Sequence, residues 1–295
     1  MKNRLSRILL KVIILLVVYM GYKYYGHYKE EQRKAAYYEN LVDTASPTVT
    51  VLRDSIWIGY RNEKRTLHIY VPPGYDQDTA RNYPVMYFLD GESSFNDLEN
   101  MAPEWQIDEV INAASASGQP TAIVVGINQA EDRDAEYTPM VDKDNPNAHG
   151  AEFAQWVATD LKNWIDSNYR TQTKPSSTTI GGISRSGMMA YYMLMAHPDV
   201  FGNAVIQSPS MWVDYDRLMA MNLPDSELRN KRIFVSVGGH EGGEMLSQAE
   251  DIYEKFKAQG LKEDALRFEI IPKEGHGHLT WRKSFAIMYP WLMRK

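Results

Sequence analysis

From residue 47 onward the chain alternates between two hydrophobic periods. Thr48–Ile58 and Arg65–Val71 alternate apolar and polar positions on either side of a turn at Asn62–Lys64, which predicts an antiparallel hairpin. Short apolar runs at Pro84–Leu89, Thr121–Ile127, Thr178–Ile183, Val205–Gln207, Arg232–Val237 and Leu266–Ile271 predict buried strands. Between them, Glu104–Ala114, Glu152–Tyr169, Met188–Ala196, Glu244–Ala258 and Leu279–Leu292 carry the helical period; in the second of these, Phe153, Trp156, Val157, Leu161, Trp164 and Ile165 form one stripe. A hairpin followed by β-α repeats predicts an α/β fold with a mostly parallel, doubly wound sheet. Sites in such sheets lie at the C-terminal ends of the strands.

The first residues carry a different pattern. Lys2, Arg4 and Arg7 precede Ile8–Met20, which is apolar except for Lys11. A basic start followed by an apolar run is the layout of a secretory signal. The run is short against the roughly 20 residues of a full span. Tyr22, Tyr24, Tyr25 and Tyr28 lie beside Lys23 and Lys29, in the manner of an interfacial aromatic belt. The expectation is an uncleaved membrane anchor over residues 1–25, with cleavage and secretion as the alternative, then a polar stalk over 26–46 and a body over 47–295. The basic end stays inside, so the body faces the periplasm or the exterior.

Composition narrows the chemistry. The chain has no cysteine, which excludes thiol nucleophiles, disulfides and thiolate zinc sites. The formal net charge is −6 and basic residues cluster only at the N-terminus, which argues against nucleic-acid binding. A hydrophobic share of 44% supplies a core that needs neither disulfides nor a structural metal.

The candidate nucleophile is Ser184, in Thr-Thr-Ile-Gly-Gly-Ile-Ser-Arg-Ser-Gly-Met-Met-Ala. A strand must turn there sharply into a helix, with Gly182 where a side chain would strike neighbouring backbone. Ser186 stands where the G-x-S-x-G pattern has its second glycine, and Gly187 opens the helix. Such a turn lifts the hydroxyl off the sheet and points the N–H of Arg185 at a substrate carbonyl. Ser186 is the rival nucleophile, with a poorer surrounding pattern. The order Ser…acid…His then directs attention to the later loops. His276 and His278 come after the last strand, and His276 is the preferred base because Gly275 and Gly277 flank it; His278 begins the final helix. His197 ends the elbow helix. In the Gly-Gly-His-Glu-Gly-Gly-Glu loop, Glu241 is the first choice of acid, ahead of Glu244 and Asp214; a Ser–His dyad is the remaining option.

Several segments together resemble a known family: Tyr-Pro-Val-Met-Tyr-Phe-Leu-Asp-Gly at 83–91, Glu-Tyr-Thr-Pro at 136–139, the elbow at 182–187, Pro198–Gly202, Ser-Pro-Ser-Met-Trp at 208–212 and the Gly-His…Trp-Arg end at 275–282. Over roughly residues 50–293 the chain resembles the esterase family of α/β-hydrolases. Its members include enterochelin-esterase-like hydrolases, feruloyl and acetyl-xylan esterases, S-formylglutathione hydrolase and mycolyltransferases. The resemblance implies an α/β-hydrolase fold, Ser184 as nucleophile, His276 as base and a second oxyanion N–H from Gly91 or Glu92. It implies ester hydrolysis through an acyl-enzyme on a small-molecule substrate, with no metal and no organic cofactor. Loops 92–105, 128–150 and 209–224 bound the substrate, and Phe95, Trp105, Tyr137, Trp212 and Tyr215 suit a feruloyl or catecholate acyl group. Siderophore, feruloyl and acetylated-sugar esters are the classes to test. Trp212, Tyr137 and Arg133 are the candidate substrate contacts, with Arg133 and Arg185 available to an anionic group. An acyltransferase using the same residues and a non-catalytic binding protein on the same fold are the rival functions. The sequence does not indicate an oligomeric state.

Overall fold

The structure, a computed structural model, describes residues 2–38, 42–100 and 102–294. The chain divides between Asp43 and Thr44 into two units. The first is the helix α1 (Lys2–Tyr38), whose apolar stretch leaves Leu10, Leu15, Val17, Val18 and Met20 exposed. Among the described residues, no helix is long and apolar enough to cross a membrane. The helix runs well into the expected stalk at 26–46, of which 39–41 lie outside the described residues.

The second unit is built on one sheet. Its elements are β1 (Val49–Ile58), β2 (Glu63–Tyr70), β3 (Val85–Leu89), α2 (Ile107–Ala116), β4 (Ile123–Ile127), α3 (Gly150–Trp156), α4 (Lys162–Asn168), β5 (Thr178–Ile183), α5 (Arg185–Ala196), β6 (Asn203–Gln207), β7 (Arg232–Gly238), α6 (Gly243–Ala258), β8 (Leu266–Ile271) and α7 (His278–Leu292). The strand order is β1-β2-β4-β3-β5-β6-β7-β8. The pairs β1–β2 and β2–β4 are antiparallel, and every later pair is parallel. The expected hairpin and doubly wound sheet are therefore present. The predicted helix over Glu152–Tyr169 is continuous but passes through a π turn at Val157–Leu161.

Strands β3 to β6 are buried along their whole length because helices cover both faces. Along β3, Val85, Tyr87 and Leu89 join the core shared with Phe153 and Tyr191. Met86 and Phe88 face the other core, shared with Ile111 and Phe285. Burying a side chain such as Phe88 contributes roughly 1.5–3 kcal/mol. Gly181 makes room for it: a Cβ there would lie 2.6 Å from Phe88 Cε1. Helix α2 starts later than the predicted Glu104, because Gln106 takes a left-handed φ of 57° and the Trp105 N–H is used by Ser93 O at 2.9 Å. That break carries Trp105 toward the C-terminal ends of the strands.

Candidate active site

Strand β5 ends at Ile183, and Ser184 holds φ 60° and ψ −123°, a conformation that costs an L-residue of order 1–3 kcal/mol. Neighbouring backbone enforces it. Ser184 N donates to Gln207 O at 2.9 Å, and Ser184 O accepts from Ser210 N at 3.0 Å and Met188 N at 3.1 Å. A Cβ on Gly182 would sit 2.1 Å from Ser186 O, so the tight turn requires glycine there. Arg185 is the first residue of α5, and a first-turn N–H has no acceptor within its own helix.

Ser186 is more than a stand-in for glycine. Its Oγ accepts from Ile183 N at 2.8 Å and donates to Asp90 Oδ2 at 2.7 Å, with Ile183 O a second acceptor at 2.8 Å. Asp90 takes a left-handed φ of 59° after β3, and Arg133 grips it with two bonds of 2.8 and 2.6 Å. These linked bonds brace the elbow from across the sheet. Ser186 is 0% exposed and so committed, which removes it as the nucleophile.

The hydroxyl of Ser184 lies 3.0 Å from His276 Nε2, and His276 Nδ1 lies 2.8 Å from Glu241 Oε2. Glu241 Oε1 accepts from Ser208 Oγ and from Gly238 N, each at 2.6 Å. Burial pushes the Glu241 carboxyl upward, but the bonds from His276, Ser208 and Gly238 together prevail and hold it below the usual carboxylate range. The carboxylate thus stays charged beside an imidazole, which fixes the ring so that Nδ1–H points at Glu241 and Nε2 is free to take a proton. Glu244 and Asp214 do not reach this ring: Glu244 sits in the first turn of α6, and Asp214 is paired with Arg217 at 2.5 Å.

The flanking glycines do not position His276 as expected. Gly275 and Gly277 have open space around them and no left-handed φ. The loop is held instead by Thr280 Oγ1, which donates to Gly275 O, and by Trp281, whose ring stands edge-on to His276 with centroids 5.2 Å apart. Trp281 Nε1 donates to Ser208 Oγ at 3.1 Å, so one indole orients both the base and the residue that supports the acid. Ser208 has a left-handed φ of 44°, and residue type alone does not single it out. The only hint in the sequence is its place in Ser-Pro-Ser directly after β6. Ser210 adds a hydroxyl 3.2 Å from Ser184 Oγ.

A pocket of about 190 Å³ opens over Ser184, walled by Glu92, Trp105, Arg133, His278 and Trp281. A larger concavity of about 620 Å³ lies at the opposite ends of the strands, around Pro84, Thr179 and Asn203, away from these groups. Gly91 is packed on Gly126, where a Cβ would lie 2.2 Å from the carbonyl carbon, so its turn sits tightly against β4. The Glu92 carboxyl, pushed up to about 7 by burial and by Asp90, accepts the Gln129 N–H at 3.3 Å.

One substrate-contact expectation is corrected. Tyr137 is fully buried; its hydroxyl accepts the Asp90 N–H at 3.3 Å, so it shapes the pocket wall from behind. Arg133 does line the pocket, but its charge is matched by Asp90. Arg185 similarly pairs with Asp134 at 2.9 Å. Trp212 is half exposed on the turn Met211–Val213. Phe95 is buried in the core, whereas Trp105 reaches the pocket.

Known proteins share this framework. The Esterase family model, described as Putative esterase, matches residues 59–292. The uncharacterized protein YbbA of Bacillus subtilis (strain 168) is 25% identical over 244 residues, covering 78% of this chain and 93% of that protein. The ferri-bacillibactin esterase BesA of the same organism is 27% identical over 248 residues, covering 75% and 82%. A solved ferulic acid esterase superposes with a TM-score of 0.66 at 19% identity, covering 83% of this chain and 98% of that one, a likeness of fold.

Proposed function

The chain belongs to the Esterase family and is a carboxylic-ester hydrolase, and on that footing we propose that it is a serine esterase working through an acyl-enzyme on Ser184. The observation that carries this reading is the unbroken line of hydrogen bonds from Ser184 Oγ through His276 to Glu241, set on a strained turn. His276 Nε2 takes the Ser184 proton as Oγ bonds to the ester carbon. The carbonyl oxygen becomes an oxyanion, held by the Arg185 N–H and by the turn at Gly91–Glu92; one such donor is worth about 3–4 kcal/mol in the transition state. The imidazolium, stabilised by Glu241, returns the proton to the departing alcohol. Water then repeats the sequence and frees the acid and Ser184.

The favoured substrate is an ester with a compact aromatic acyl group, of the catecholate or feruloyl kind. Trp105 and Trp281, edge-on with centroids 6.4 Å apart, offer flat aromatic walls in the pocket over Ser184. The names of the ferri-bacillibactin and ferulic acid esterases support the same classes. We further propose that the activity lies outside the cytoplasm, with the chain held at a membrane through the exposed apolar stretch of α1; recovery of the protein in the cytoplasmic fraction, or its release by a carbonate wash of the membranes, would refute this.

Hydrolysis of short p-nitrophenyl, feruloyl and catecholate esters by the full chain, beside Ser184→Ala, tests the enzyme reading. The expected result is activity in the first, loss in the second, and a Ser184-acyl adduct by mass spectrometry. An active protein that forms no adduct at Ser184 overturns the reading. Adding acceptor alcohols separates hydrolysis from acyl transfer.

A further inference from the structure

Glu104, Asp108 and Glu109 place carboxylate oxygens within 4.8 Å of one another at the start of α2. Glu104 is 1% and Asp108 0% exposed, so water does not screen them. One oxygen of each acid, Glu104 Oε2, Asp108 Oδ1 and Glu109 Oε2, is buried without a hydrogen-bond partner among the described residues. The other Asp108 oxygen accepts the Ser46 N–H at 2.7 Å, which fixes the side chain. No lysine or arginine pairs with these acids among the described residues. Arg282, the nearby cation, donates through Nε and Nη2 to the main-chain oxygen of Glu104 at 2.9 and 2.7 Å, not to its carboxylate.

The N-terminus of α2 favours acids at 108 and 109, but it gives the three orphaned oxygens no partner. Buried acceptors in native proteins are almost always satisfied. We propose that Glu104, Asp108 and Glu109 form a binding site for a hard divalent cation of the calcium class. Only carboxylate oxygens converge, with no His nitrogen or thiolate, which suits an oxygen-seeking ion.

The site also bears on the pocket. Glu104 immediately precedes Trp105, which stands edge-on to Trp281, the indole that holds Ser208 and faces His276. A cation pinning Glu104 to α2 fixes that wall in place. Its role is positioning, and it is independent of the reaction assigned to Ser184.

The test uses the full chain, stripped with EDTA and titrated with terbium under tryptophan excitation. Trp105, next in sequence to a ligand, is the expected sensitiser. Emission should saturate at one equivalent, fall on adding calcium, and require at least tenfold more terbium in Glu109→Gln. Millimolar calcium should raise the unfolding midpoint of the wild type and not of that variant. Glu109→Gln leaves the Asp108–Ser46 bond intact, so loss of binding there is not loss of fold. Sensitised emission that is unchanged in Glu109→Gln, or a wild-type midpoint that calcium leaves in place, overturns the proposal.

Discussion

Replacing Glu241 with glutamine removes one charge and almost no volume, and the hydrogen bonds around it dictate the response. Oε1 accepts from both Ser208 Oγ and Gly238 N. The amide oxygen must occupy that position, because an NH₂ there would face two donors. The NH₂ is then forced toward His276 Nδ1, which in the wild type lies 2.8 Å from Oε2. That nitrogen must become an acceptor, so the ring proton moves to Nε2, which can no longer take the proton of Ser184. The imidazolium of the transition state also loses its counter-charge. With a separation of 2.8 Å and an effective dielectric of about 20–40 for a half-exposed ring, the attraction is about 3–6 kcal/mol. At 1.36 kcal/mol per decade, kcat/KM should fall about 10²- to 10⁴-fold. Steady-state hydrolysis of a p-nitrophenyl ester, with the unfolding midpoint recorded in parallel, measures this. The loss should fall mainly in kcat. A folded Glu241→Gln protein within about tenfold of wild type, a change near 1.4 kcal/mol, would show that His276 works without its carboxylate and would leave a Ser–His dyad.

Three further outcomes are expected. Ser208→Ala strands the buried Trp281 Nε1–H, whose acceptor lies at 3.1 Å, and takes one donor from Glu241; stability should fall by about 1–3 kcal/mol in urea titrations, with a reduced kcat, and unchanged values for both would show the bridge to be incidental. Gly182→Ala places a Cβ 2.1 Å from Ser186 O and should cost about 3 kcal/mol or more, whereas Gly275→Ala, with nothing within 4 Å, should change stability by less than about 0.5 kcal/mol. Glu92→Gln tests the buried acid beside the pocket. Its folded-state carboxyl is raised from 4.5 to about 7 by burial and by Asp90, so the native state holds that proton more tightly than the unfolded chain. The destabilisation from ionising it is absent below the unfolded value, grows as pH rises through this window and is complete above about 7. The stability advantage of the glutamine variant over wild type should therefore be about 3 kcal/mol larger at pH 8 than at pH 4, and a difference that does not vary with pH would refute the assignment.

The parts of this molecule that are legible in the sequence are those whose cause is local. Strands buried on both faces must be apolar throughout, so β3, β4 and β5 stand out as runs. The elbow is visible because a strand turning at once into a helix needs glycine at 182, and the base is visible because it has to come after the last strand. The acid can be narrowed only to a loop: the choice among Glu241, Glu244 and Asp214 depends on which side chain points back over β7. Tyr137 and the glycines around His276 mislead for the opposite reason, since residue type suggests a role that burial in one case and open space in the other removes.

Ser186 shows why the rest is hidden. As a departure from G-x-S-x-G it counts against the elbow, but its hydroxyl closes a bond to Asp90, 96 residues away in sequence. Asp90 in turn is held by Arg133, and its N–H by Tyr137. A glycine at 186 would leave Ile183 N and Asp90 Oδ2 each without this partner in a buried place, so the serine cannot revert to the motif without cost. Conversely, Asp90, held by Arg133 from one side, offers the hydroxyl at 186 its buried acceptor. The departure at 186 and the pair at 90 and 133 are therefore one structural feature, and it sets the turn that carries Gly91 and Glu92 against the turn that carries Ser184.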